Sequence, residues 1–293
     1  MLHCGARIER KHATVVALIS TTRFSQMTTP LELQRTEVSS AGDADDNEIL
    51  SKVPKLTLAF WVVKIFATTL GETGGDALSM QLNLGYAVST LIFLAFFLVT
   101  VSAQVASKHY HPLFYWAVVV ATTTVGTTTS DYIDRSLGLG YVKGSAILLI
   151  LVGAVLFAWH ATTGRIRVDD VTSRKDESFY WVTILISNTL GTALGDYVAT
   201  SAGLGFEGGA LVFGGLIALV AVASYTTRIP RSVLFWSAYV LTRPLGATLG
   251  DILTKPPTQG GLNLSRIMSS LVIAVIMVII ISMTSLRKRG NAA

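Results

Sequence analysis

Long apolar runs alternate with short polar breaks along most of the chain. Eight runs of mostly apolar residues can be placed at 58–79, 85–106, 113–134, 141–161, 178–199, 206–226, 232–254 and 265–286. A helix needs about 20 such residues to cross the hydrocarbon core of a bilayer. The strands of a membrane barrel would be shorter and would alternate apolar with polar positions. The pattern therefore predicts an all-α polytopic membrane protein with eight transmembrane helices.

Composition agrees with this interpretation. Of the 293 residues, 51% are hydrophobic and only 14% are charged, which excludes an ordinary soluble domain. The first 55 residues are polar and mixed in charge, so we expect 1–55 to be a disordered cytoplasmic tail. Residues 56–286 form the predicted transmembrane domain, and 287–293 form a basic C-terminal tail. The sole cysteine, Cys4, lies in the first tail and excludes an intramolecular disulfide.

The distribution of basic residues predicts the orientation. With eight spans, both termini lie on one side, and that side carries twelve Lys and Arg residues close to the membrane. The other side carries four, which are Arg135, Lys143, Lys255 and Arg266. Since basic residues accumulate in cytoplasmic loops, we expect both termini in the cytoplasm. The net charge of +5 then reflects topology and contact with anionic lipid, and it does not require nucleic acid as a partner.

One short motif recurs four times. It reads GETGGD at 71–76, GTTTSD at 126–131, GTALGD at 191–196 and GATLGD at 246–251. A Trp lies 15 residues before each aspartate and a Gly lies nine residues after it. The sequence therefore predicts four two-helix repeats, at about 56–108, 109–164, 176–228 and 230–286. Because each contains an even number of spans, the repeats are parallel.

Parallel repeats allow the four aspartates to converge at one depth. If each Trp anchors the cytoplasmic interface, its aspartate lies roughly 22 Å further along the helix. Small residues four apart let helix backbones approach closely, and each motif contains such a pair. The pairs are Gly71 and Gly75, Gly126 and Ser130, Gly191 and Gly195, and Gly246 and Gly250.

The aspartates themselves have three interpretations. A carboxylate at membrane depth normally faces a bundle interior and marks a site, so Asp76, Asp131, Asp196 and Asp251 are candidates for cation binding or proton relay. Alternatively, an aspartate is a good helix N-cap, and these residues would then serve only capping and packing. Simple solvation at the interface is the third interpretation.

Differences between the repeats indicate where a site would lie. Repeat one alone adds Glu72, on the same helical face as its aspartate. Repeat four contains Arg243, which needs a partner inside a membrane, with Glu72 the first candidate and Asp76 the second. Pro244 follows and should kink or break its helix.

We expect Lys64 to extend towards the cytoplasmic interface. Supporting polar groups are Thr127, Thr128, Asn188 and Thr192.

Carboxylate and hydroxyl oxygens suit a hard cation such as Mg²⁺, Ca²⁺ or Mn²⁺. Soft-metal ligands have little support because no span contains Cys. The metal's identity stays open, and we predict no cofactor beyond a bound divalent cation or protons. We find no phosphate loop, zinc signature or nucleophile elbow, so the sequence gives no positive sign of an enzyme.

Residues 52–286 resemble a bacterial family of uncharacterised membrane-anchored proteins. The resemblance rests on the repeated Gly-x-x-x-Gly-Asp motifs, which occur in KVPKLTLAFWVVKIFATTLGETGGD, FYWVTILISNTLGTALGD and YVLTRPLGATLGDILTKP. That resemblance implies no activity.

We expect a transporter or channel for a small hard cation in the bacterial inner (plasma) membrane, with an externally facing polar site that Arg243 balances or gates. The alternatives are a non-transporting scaffold or accessory subunit and a membrane-embedded enzyme.

Overall fold

The computed structural model describes residues 57–107, 111–164, 166 and 173–290. The predicted tail at 1–55 lies outside them. The described part contains eight α-helices, which confirms the all-α prediction. They are α1 (Leu58–Asp76), α2 (Gly85–Ala106), α3 (Pro112–Asp131), α4 (Tyr141–Thr163), α5 (Arg174–Asp196), α6 (Gly205–Thr226), α7 (Arg231–Thr254) and α8 (Arg266–Gly290). Helix α8 includes the first four residues of the predicted C-terminal tail.

The first helices of the four repeats form an inner ring. Helix α1 packs on α3, α3 on α5, α5 on α7, and α7 on α1. The second helix of each repeat lies outside and packs mainly on the inner helix of the next repeat. These outer contacts join α2 to α3, α4 to α5, α6 to α7, and α8 to α1. The repeats therefore interlock around a closed ring instead of forming four separate hairpins.

The outer helices carry the apolar surface. Helices α2, α4, α6 and α8 are long and apolar enough to cross a membrane, and many of their large side chains, such as Leu91, Ile150 and Leu211, are exposed. The inner helices contain more Thr and charged residues, because their neighbours shield those positions from lipid. The arrangement is that of a polytopic membrane protein with a polar interior.

The repeated small residues bring the inner helices into close contact. A Cβ added to the first glycine of each motif would collide with the neighbouring inner helix. The four glycines, Gly71, Gly126, Gly191 and Gly246, lie against Thr123, Asn188, Arg243 and Thr68 respectively. The later glycines Gly75, Gly195 and Gly250 lie against Thr127, Ala247 and Glu72. Each neighbour occupies the same position in its own repeat, so the four inner helices are parallel and in one register.

The backbone after each aspartate also repeats. In the first three repeats the α-helix ends at the aspartate, and a π-helical turn follows at Ala77–Gln81, Tyr132–Ser136 and Tyr197–Ser201. The glycine nine residues after the aspartate has a positive φ in every repeat. The values are +74° at Gly85, +75° at Gly140, +68° at Gly205 and +83° at Gly260. Only glycine adopts this conformation without strain, which explains its recurrence at that offset.

The structure contradicts two expectations about the inner helices, the Trp anchors and the break at Pro244. Trp116, Trp181 and Trp236 are only 6%, 3% and 8% exposed, so they are buried inside the protein instead of forming lipid-facing anchors. They belong to a layer of aromatic rings in mutual contact at the end of the ring opposite the aspartates. Pro244 does not break its helix, because α7 continues through it and the proline packs against Gly191.

The glycine contacts predict that Gly246→Ala destabilises the protein by about 1–3 kcal/mol, since the methyl group would overpack the contact with the backbone and side chain of Thr68. The measurement is thermal unfolding of the purified protein in detergent. Gly153→Ala is the matched control, because a Cβ there meets nothing within 4 Å and should leave stability unchanged or slightly raised. Equal effects at the two positions would contradict the close packing of α1 and α7.

Candidate functional site

The four repeat aspartates form one buried layer at the end of the inner ring. Asp76, Asp131, Asp196 and Asp251 are between 1% and 3% exposed. Their position follows from the parallel register of the ring, in which equivalent residues of neighbouring helices lie at the same level. Four carboxylates so deeply buried are costly unless other groups neutralise them.

Two cations pair with the four aspartates, and each cation bridges two of them. The Lys255 ammonium lies 2.9 Å from Asp76 Oδ2 and 3.1 Å from Asp251 Oδ1. The Arg135 guanidinium lies 3.0 Å from Asp131 Oδ1 and 3.2 Å from Asp196 Oδ2. Each cation thus joins the aspartates of two neighbouring repeats, and each lies four residues after one of its partners.

The two pairs differ in what covers them. Arg135 also donates hydrogen bonds of 3.1 Å to the hydroxyls of Tyr86 and Tyr141, and its side chain is 29% exposed. Lys255 is 7% exposed, and on its side Arg266 approaches Asp76 Oδ2 at 3.5 Å. The pair bridged by Arg135 is therefore closer to the surrounding medium than the pair bridged by Lys255.

The guanidinium of Arg243 occupies the middle of the ring. It lies nearer the N-termini of the inner helices than the aspartate layer does. Its Nη2 donates to Glu72 Oε2 at 3.0 Å, to Thr192 Oγ1 at 2.7 Å and to Thr127 Oγ1. These three partners come from the three other inner helices, so the group lies near the ring axis. Glu72 is the partner that the sequence analysis expected first. Arg243 is 0% exposed, and no hydrogen-bond partner is present for its Nε and Nη1 among the described residues.

Not every predicted polar residue joins this cluster. Thr127 and Thr192 contact Arg243, whereas Thr128 donates back to its own helix at Thr124 O and Val125 O. Asn188 donates to Thr122 Oγ1 at 3.0 Å and lies one helical turn further from the aspartates than Thr192. Asn188 therefore joins α3 to α5, whereas the bonds of Thr128 stay within α3.

Lys64 is a correction to the sequence analysis. It does not extend to the interface but is 0% exposed, with its ammonium 4.0 Å from the ring centroid of Tyr239. The aromatic layer lies between it and the helix N-termini, so the flexible stem cannot reach that end of the bundle.

The N-cap interpretation is wrong for all four aspartates. Asp76, Asp131 and Asp196 precede the π-helical turns but make no side-chain cap hydrogen bond to them. Asp251 lies within α7, three residues before its end. Their contacts are ion pairs between repeats, so neither capping nor interfacial solvation describes them.

A cation could be held where three carboxylates meet. Side-chain oxygens of Glu72, Asp76 and Asp251 lie within 4.8 Å of one another, and all three residues are buried. Asp76 Oδ1 has no hydrogen-bond partner among the described residues. Oxygens that share one Ca²⁺ at 2.3–2.6 Å can be at most about 4.6–5.2 Å apart. The spacing is therefore compatible with one cation of that size.

The residues that pair with the aspartates were not predicted from the sequence. Arg135, Lys255 and Arg266 were interpreted only as topological charges, and Tyr86 and Tyr141 were assigned no role. The available signal was the four-residue offset of Arg135 from Asp131 and of Lys255 from Asp251, which places each pair on one helical face. No such local signal exists for the contacts with Asp196 and Asp76, which are distant in sequence.

A closed ring of polar inner helices, covered by apolar outer helices, defines a polytopic membrane protein with four cyclically packed repeats. Four segments, 59–110, 114–165, 179–229 and 234–289, match the family described as Repeat of Unknown Function (DUF347). These segments cover most of the chain, so it belongs to this family. Comparisons with curated proteins and with solved structures give no significant match.

The buried pair of Glu72 and Arg243 predicts a strong energetic coupling. Glu72→Gln should destabilise the protein by about 3–5 kcal/mol, because it leaves a buried guanidinium without a counter-charge. In an Arg243→Met background the same change should cost much less. Unfolding of all four proteins in detergent measures the coupling. Additive effects of the two substitutions would contradict the pairing.

Proposed function

We propose that this protein transports a small hard cation across the bacterial inner membrane, with both termini in the cytoplasm and the aspartate layer towards the outer face. The observation that carries the proposal is the meeting of Glu72, Asp76 and Asp251, whose oxygens lie within 4.8 Å of one another in the buried interior. Such a set supplies the ligand type and the spacing that a divalent cation requires.

Lys255 supports this proposal because it marks a place where the protein stabilises positive charge. Its ammonium is bound by Asp76 and Asp251, the same carboxylates that would coordinate the ion. In our account Lys255 is a tethered counter-ion of the unloaded site. An incoming cation displaces the ammonium, and its return helps to release the ion.

Arg243 favours a transporter over an open channel. Its guanidinium fills the centre of the ring and contacts the three other inner helices. A fixed positive charge on the axis repels cations, and the aromatic layer closes the ring beyond it. Passage through the ring therefore requires a rearrangement of these groups, as in an alternating-access transporter.

Arg135 is the corresponding group at the outer end. It links Asp131 and Asp196 to Tyr86 and Tyr141. Among the described residues it is the most exposed cation of these ion pairs. We assign it the role of an outer gate, whose movement would open the aspartate layer.

A scaffold or accessory subunit is the second candidate function, and one observation favours it. All four aspartates and Glu72 have cationic partners within the protein, so packing alone does not require an ion. Against it, buried ion pairs contribute little net stability compared with apolar residues of similar size. A purely structural ring would therefore gain little from so many charges.

The proposal predicts that Asp76→Asn and Asp251→Asn each lower cation flux by at least about tenfold, the effect of losing about 1.4 kcal/mol of ion binding. The measurement is uptake of Ca²⁺, Mn²⁺, Mg²⁺ and Na⁺ by proteoliposomes that contain the purified protein. Asp134→Asn is the control, because Asp134 is also a buried aspartate but accepts a hydrogen bond from Ser130 outside the three-carboxylate set.

Thermal stability with and without each ion separates the two candidate functions. A ligand of the folded state raises its stability by mass action, so a transporter is stabilised by its ion and the two variants lose that effect. If no ion alters stability or crosses the membrane, while the same variants are merely less stable, the scaffold function replaces transport.

A further inference from the structure

A groove of about 470 Å³ lies between the end of α2 and the beginning of α5, a size typical of small-ligand sites. Most of its lining is apolar and includes Phe97, Val101 and Val105, while Arg174 and Trp181 lie on the α5 side. The groove is at the end of the bundle opposite the aspartates, so it is separate from the proposed cation site.

The one charged residue among the described lining residues of this groove is a cation. Arg174 is exposed and carries a permanent positive charge. Trp181 is 3% exposed and its indole Nε1 is buried, so it offers no donor to a ligand in the groove. The guanidinium of Arg174 therefore favours a ligand with a negative charge.

Asp176, an acidic residue at the same helix end, is already bound to other residues. Asp176 accepts from Trp159 Nε1 at 2.9 Å and interacts with Ser173, and Glu177 is buried. None of the described residues that line the groove is acidic. The lining thus offers no carboxylate to the ammonium of a zwitterionic headgroup.

The depth of the groove matches a lipid. Arg174 is 22 residues before Asp196 on one continuous helix, or about 33 Å along its axis, which is close to the thickness of the hydrocarbon core. Arg174 therefore lies at headgroup level when the aspartates lie near the opposite surface. Trp181 is about 10 Å deeper, at the level where a lipid's ester groups give way to its chains.

We propose that this groove binds an anionic phospholipid, with its phosphate at Arg174 and one acyl chain along Phe97, Val101 and Val105. The mostly apolar lining suits the chain, and the guanidinium of Arg174 suits the phosphate of the headgroup. This site is independent of the transport proposal and stands if that proposal fails.

The test compares phosphatidylglycerol with phosphatidylcholine of identical acyl chains, added at equal concentrations to the full-length protein in detergent. We expect phosphatidylglycerol to raise the unfolding temperature more, because the folded protein binds it. Arg174→Gln should weaken its apparent affinity about fivefold, the effect of one basic residue near a membrane surface. Lys175→Gln is the matched control, since Lys175 is also exposed but does not line the groove.

A second pair of variants tests the groove itself. Ala106 lines it and Ala103 does not, and both are exposed on α2. Ala106→Trp should fill the groove and abolish the advantage of phosphatidylglycerol, whereas Ala103→Trp should keep it. Equal effects of the two lipids on the unmodified protein would overturn the proposal. So would an advantage of phosphatidylglycerol that survives both Arg174→Gln and Ala106→Trp.

Discussion

The structure depends on one electrostatic constraint, which is that carboxylates buried inside a membrane protein need partners of opposite charge. Each cation here pairs with a carboxylate of another repeat. Lys255 joins the last repeat to the first, Arg135 joins the second to the third, and Arg243 of the last repeat contacts Glu72 of the first near the ring axis. Because these contacts connect residues far apart in sequence, the carboxylates find these partners only when the ring is closed. The glycines allow it by bringing the inner helix backbones close together.

The packing contacts of the ring recur in all four repeats, whereas the cations that follow the aspartates occur in only two. Glycines, aspartates and positive-φ glycines recur in all or nearly all repeats, whereas the cation four residues after the aspartate is present only in repeats two and four. Arg135 and Lys255 are therefore equivalent under the 120-residue offset between the two halves. Glu72 and Arg243 break the remaining symmetry, since Thr192 and Thr123 occupy the equivalent positions in the other halves. The unique features of the site lie where repeats one and four meet.

Sequence periodicity was sufficient for the helices, the repeat unit and its parallel orientation, because each depends on local patterns or fixed offsets. It could not show which faces meet. The neighbouring helix decides three features, which are the packing of α2 on the next repeat and the burial of Lys64 and Trp181. The sequence of one helix does not show which helix packs against it. The roles of Arg135 and Lys255 were missed for the same reason. Their offsets identify one aspartate partner each, while the second partner is visible only in the folded ring.

The most direct test of the central claim is cation binding to purified protein before and after Lys255→Met, measured by calorimetry with Ca²⁺ and Mn²⁺. If Lys255 is a tethered counter-ion, its removal leaves Asp76 and Asp251 without their main partner, and an ion from solution should bind more tightly than to the unmodified protein. Asp251→Asn in the same background should remove that gain. If neither protein binds any ion and Lys255→Met is only less stable, the carboxylates serve the architecture of the ring and not transport.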